Sequence, residues 1–72
     1  MTPGVYLVYA KNGTYVGQSK QIQGRVANHK DWNPRSPIKG FIKYKILEVV
    51  KDEQLRLKRE QYWIDKLKPT LN

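Results

Sequence analysis

The chain has 72 residues, with 14 Lys and Arg against six Asp and Glu, and no Cys. Such a length makes one domain, residues 1–72, near the lower size at which a single core stands alone, and without Cys neither a disulfide scaffold nor a Cys-based zinc site is open to it. A formal net charge of +8 calls for a polyanionic partner. Nucleic acid is preferred to a membrane, because no segment is at once long, strongly amphipathic and basic on one face. The opening Met1-Thr2-Pro3-Gly4 lacks the basic start of a signal peptide, and no apolar run could span a bilayer, so a cytoplasmic location is expected.

Val5 to Ala10 is rich in β-branched and aromatic residues and reads as a strand. Asn12-Gly13 is a strong hairpin signal, and Thr14 to Ser19 makes the return strand. With Asn12-Gly13 as a two-residue turn, Lys11 pairs with Thr14, Val8 with Gly17 and Tyr6 with Ser19. Tyr6 and Tyr15 then share a sheet face, with the small residues Ala10, Gly17 and Ser19 leaving room above it. That conclusion survives a two-residue register error but not a one-residue error.

Ser19 is the expected N-cap of a helix reaching about Lys30, with Ile22 and Val26 as its apolar stripe. Arg25 and His29, one turn apart, lie on its edge and can address one ligand. Asp31 to Gly40 carries Pro34, Pro37 and Gly40 and reads as an exposed loop. Phe41 to Val50 reads as a third strand, and Glu53 to Leu67 as a second helix that Pro69 stops from extending. The order β-β-α-β-α predicts an α+β fold: a small three-stranded antiparallel sheet with helices packed on it.

One acid is out of place on the second helix. Leu57, Trp63, Ile64 and Leu67 form its apolar stripe, and Glu60 falls in the middle of it. A carboxylate there needs a cation or donors, which makes Glu60 a candidate metal ligand. The plainer reading is an ion pair with Arg56, one turn earlier.

Gly4-Val5-Tyr6, followed nine residues later by Tyr15-Val16-Gly17, resembles the paired signature of the GIY-YIG nucleases, with Val replacing Ile in both halves. Arg25 stands ten residues after Tyr15, where the family's helix supplies its Arg, and His29 matches the His of several homing and restriction members. Glu60-Gln61-Tyr62-Trp63-Ile64 looks like the family's metal-binding Glu with its aromatic-Ile helix, and Pro69-Thr70-Leu71-Asn72 matches the segment carrying its Asn. Repair members carry a Lys where this chain has Gln18, so the resemblance assigns that proton-transfer role to His29. Family enzymes usually attach this module to a targeting domain, and none is read in these residues.

The resemblance implies a metal-dependent DNA endonuclease, of a kind used in homing, restriction, phage DNA processing and repair. Glu60 would bind a single Mg²⁺ or Mn²⁺, Arg25 would grip the non-bridging phosphate oxygens, and Tyr15 or Tyr6 would activate water. His29 would assist and Asn72 would orient the others. Taken singly, the tyrosines are ordinary strand residues, Arg25 and His29 a solvated helix edge, and Asn72 a terminal residue.

Lys20, Lys30, Trp32, Arg35, Lys39, Lys43 and Lys45 are the expected nucleic-acid contacts, giving phosphate-dominated binding with low sequence specificity. Two other functions compete. One is a catalytically inactive nucleic-acid-binding module that keeps the nuclease fold, and the other is a small basic RNA-binding protein. One active site nicks one strand per engagement, so a third reading makes the chain one half of an enzyme, working as a homodimer that cuts both strands or with a separate targeting partner.

Overall fold

The elements follow in the order β1 (Gly4–Ala10), β2 (Gly13–Ser19), α1 (Ile22–Lys30), β3 (Phe41–Val49) and α2 (Glu53–Leu67). They are those of a computed structural model that describes residues 2–30 and 37–72 and, of Lys30, the backbone alone. Trp32 and Arg35, and the side chain of Lys30, lie outside the described residues. The sheet is antiparallel with strand order β2-β1-β3, so the α+β arrangement expected from the sequence is the one adopted.

β1 takes the centre because it is apolar on both faces. Tyr6 and Val8 point to a core shared with Ile22 and Val26 of α1 and with Ile38. Val5 and Leu7 point the other way, joining Val16 and the half-buried Trp63 and Ile64 of α2. Each helix thus covers one face, and each fully buried aliphatic contributes about 1.5–3 kcal/mol.

The hairpin register differs from the expected one by two residues. Ala10 faces Gly13 and Tyr6 faces Gly17, so the turn is Lys11-Asn12 rather than Asn12-Gly13. Asn12 is used elsewhere: its Nδ2 donates to the Pro37 carbonyl at 2.9 Å, and its Oδ1 accepts from the Lys39 N–H at 3.0 Å. The Lys11 N–H donates to the Gly40 carbonyl at 2.9 Å, completing a clamp between turn and loop. Gly13 leaves the turn at φ 144°, and the Thr70 hydroxyl occupies the space a Cβ would need. Because the shift is even, Tyr6 and Tyr15 keep their common face.

Ser19 does not cap α1, which begins at Ile22. Its hydroxyl accepts the Gln21 N–H at 2.9 Å and closes a tight turn out of β2. The third strand ends at Val49, one residue before the expected Val50. α2 spans the expected residues: Asp52 accepts the Leu55 N–H at 2.8 Å, and Lys68 leaves the helix in the left-handed region at φ 49°.

The buried face of α2 is not the predicted stripe. Leu57 and Leu67 are 49% and 40% exposed, whereas Arg56 is only 5% exposed. The helix lies mainly against the outer strand β2, so its contact seam is narrow and passes through Arg56, Glu60, Trp63 and Ile64.

After α2 the chain returns along the free edge of β2. The Leu71 N–H donates to the Thr14 carbonyl at 2.9 Å, and the Thr14 N–H donates to Thr70 Oγ1 at 3.2 Å. Asn72 Oδ1 accepts the Val16 N–H at 2.8 Å while its Nδ2 donates to the Val16 carbonyl at 2.7 Å. No helix among the described residues is long and apolar enough to cross a membrane.

The two faces can be told apart by truncation. Ile22→Ala, at a fully buried position, is expected to lower the unfolding free energy by about 2–5 kcal/mol in a urea titration. Leu57→Ala is expected to stay within about 0.5 kcal/mol of the parent.

Candidate active site

Gly17 is the floor of the site. A Cβ built there would stand 2.6 Å from the Tyr6 hydroxyl and 2.9 Å from Tyr15 Cε2, so only glycine lets both rings lie across β2. The room expected above the sheet is therefore filled by the tyrosines themselves. Their centroids are 6.5 Å apart, and His29 meets both, at 6.1 Å from Tyr6 and 5.4 Å from Tyr15. The Tyr6 hydroxyl is hydrogen-bonded to His29 Nε2 at 3.1 Å, tying the central strand to α1. Tyr6 is buried and Tyr15 half-buried, so Tyr15 is the tyrosine more open to solvent.

Arg25 and Glu60 complete the group through their fields. Burial, and then Tyr15, push the Tyr6 phenol well above its ordinary value, with Arg25 opposing and Glu60 adding to the rise. Burial and then Glu60 raise Tyr15, while Arg25 pulls it down. Burial and then Arg25 hold the His29 imidazole below its usual range, so it is neutral at neutral pH. The structure thus brings Tyr6, Tyr15 and His29 into contact, with Arg25 and Glu60 near enough to shift their titration. Asn72 is bound instead to the Val16 backbone on the edge of β2, next to Gly17.

Glu60 does not form the ion pair with Arg56. Among the described residues no cation lies within ion-pair distance of it. Burial raises its pKa, offset in part by a backbone hydrogen bond from Gln18. Glu48 is the contrast: Arg59 Nε at 2.8 Å and Trp63 Nε1 at 3.1 Å bind its carboxylate, and those bonds hold it below the usual range.

Arg56 gives its Nε to Gln18 Oε1 at 2.8 Å and its NH1 to the Lys51 carbonyl at 3.1 Å. Gln18 therefore serves Glu60 with its backbone and Arg56 with its side chain. A lysine at this position would set two cations together, which gives the departure from the repair pattern a physical reason. Neither role was read from the sequence. The available signal was Arg56 lying on the same helix face as Glu60.

The expected basic contacts divide. Lys20 lines a cavity of about 610 Å³ beside Arg25. Lys43 and Lys45 face Tyr9 and Leu7 across the ladder, so they project from the α2 face, away from Tyr6 and Tyr15, and Lys43 Nζ sits 5.0 Å from the Tyr9 ring. Lys39 is exposed beside the hairpin turn.

The family model of the GIY-YIG catalytic domain matches residues 2–72, and the chain belongs to that family. No curated protein and no solved structure matches it significantly. The family's domains are nucleases acting on DNA and generally depend on a divalent metal. Among the described residues no group of three or more His, Cys, Asp and Glu could cage an ion. A single half-buried carboxylate without a cationic partner still suits a hard ion that keeps waters and takes a phosphate oxygen.

His29 is the one histidine of the chain and so a clean probe. Its NMR titration is expected to fall below 6.5 and to move upward in Arg25→Ala, because a neighbouring cation no longer disfavours imidazolium. Gln18→Lys, which takes the acceptor from buried Arg56, is expected to lower stability in a urea titration by about 1–3 kcal/mol.

Proposed function

We propose that the domain is an endonuclease hydrolysing DNA phosphodiester bonds with one divalent cation, Mg²⁺ or Mn²⁺, held by Glu60, and with little sequence preference. The observation that carries this reading is the meeting of Tyr6, Tyr15 and His29 over Gly17, within the fields of Arg25 and of Glu60, which has no cation within ion-pair distance among the described residues. Proton-handling groups, an anion-gripping guanidinium and a free carboxylate are the parts this reaction needs.

Arg25 lies exposed on α1 and grips the non-bridging oxygens of the scissile phosphate, where its planar fork can bind two at once. As the phenolate, its own proton lost to solvent, Tyr15 takes the proton of the attacking water as the new P–O bond forms; the P–O bond to the leaving sugar oxygen breaks and that oxygen takes a proton from solvent water. When bound, the cation neutralises phosphate charge and reverses the Glu60 field that now raises the Tyr15 phenol. Tyr6 holds the neutral His29 ring against Tyr15. The 3.1 Å bond also favours a second assignment, in which Tyr6 is the base and passes its own proton to His29 Nε2. Asn72 keeps the strand under the tyrosines in place.

With supercoiled plasmid and Mg²⁺ or Mn²⁺, nicked circles are expected before linear DNA. Glu60→Ala or Arg25→Ala is expected to cut at least about 100-fold more slowly with an unchanged circular dichroism spectrum. Because neutral His29 is the working form and its pKa is depressed, the acid limb of the rate profile is expected below pH 6.5. Wild-type cleavage by Glu60→Ala would overturn the mechanism, and inactivity of the parent with both ions would favour a binding module on the nuclease fold.

A further inference from the structure

Next to the tyrosine cluster is a cavity of about 610 Å³ between the end of β2, the first turns of α1 and the start of α2. Lys20, Arg25 and Arg56 line it, against one acid, Glu53. Arg56 is its unusual wall. The residue is 5% exposed, and among the described residues no carboxylate lies within ion-pair distance of it. A guanidinium carries five N–H donors, and among the described residues two acceptors meet them, Gln18 Oε1 and the Lys51 carbonyl. Arg56 has no buried nitrogen lacking a partner, so its remaining donors open towards the cavity. Those donors meet solvent in the cavity, where an anion can take them. A planar fork in a basic cavity matches phosphate oxygens.

We propose that this cavity seats a second phosphodiester of the bound DNA strand, adjacent to the one being cut, with Arg56 as its main ligand and Lys20 at its rim. The inference rests on DNA being the substrate. Arg25 connects the two positions, since it lines the cavity and also acts on Tyr6, Tyr15 and His29. Gln18 couples them from below: its side chain steadies the Arg56 fork, and its backbone supports Glu60. A strand gripped at two successive phosphates is held in line for attack, which a single contact at Arg25 would not achieve.

The test is binding of a tetrathymidylate oligonucleotide to the whole protein in EDTA, where no cleavage occurs. NMR mapping is expected to show shifts at Lys20, Gly24 and the Arg56 side chain together with those at Arg25. Arg56→Gln is expected to weaken binding about 10-fold and to lower the slope of log affinity against log salt by about 0.7, one single-strand phosphate. Exposed Lys20→Gln is expected to weaken binding about threefold without disturbing the fold. Shifts confined to Tyr15, His29 and Glu60, or a folded Arg56→Gln with parent affinity and slope, would overturn the proposal. If Arg56→Gln does not fold, the parent map and Lys20→Gln decide. A protein that binds through this cavity yet cuts nothing with Mg²⁺ would sink the nuclease reading and leave the cavity assignment standing.

Discussion

β2 is an edge strand, and the peptide groups on its outer side need partners or remain open to another chain. In the described structure three alternate residues face outward there, and each is met by a segment from the end of the sequence. Thr14 and Val16 are taken by Thr70, Leu71 and Asn72, and the Gln18 backbone supports Glu60. The Glu60 carboxylate of α2 thus stands at that same edge, where the Gln18 backbone opposes the rise of its pKa. Gly17 sits between Val16 and Gln18, so that edge is also where the tyrosine rings cross.

The rest of the site follows from that alignment. Tyr6 starts on the central strand and reaches the edge only because Gly17 has no side chain. α1 is fixed by Ile22 and Val26 in the core, and His29, on the same side of the helix one turn from Arg25, meets both rings. Burial then does electrostatic work. It keeps His29 neutral, holds both phenols protonated and raises Glu60, so none of these groups is at its solution poise. A cation beside Glu60 would oppose the rise at Glu60 and at both phenols and would press His29 further towards its neutral form.

Much of this was legible in the chain because period-two and helical patterns determine which residues share a face. The face shared by Tyr6 and Tyr15 survived a wrong turn assignment, since the register error was even. The turn itself was misread because Asn12-Gly13 carries the commoner hairpin signal, while the long-range bonds of Asn12 to Pro37 and Lys39 are invisible locally. The α2 stripe was misread for a similar reason. Helical periodicity assumes a broad contact with the sheet, whereas α2 rests on the edge strand and buries Arg56 in preference to Leu57. The link from Gln18 to Arg56 joins residues 38 apart and left no periodic trace.

Arg56 and Glu60, one turn apart, are kept separate by Gln18, so the helix presents a cation to one side and an unpaired carboxylate to the other. The central claim is that the edge of β2 fixes this carboxylate beside the tyrosines as the seat of a divalent ion. Paramagnetic broadening of the NMR spectrum by substoichiometric Mn²⁺ measures that placement directly. The account predicts first loss of signal at the Gln18 amide and the Tyr15 and His29 rings, abolished in Glu60→Gln. Broadening centred on Asp52 and Glu53, with those signals untouched, would contradict it.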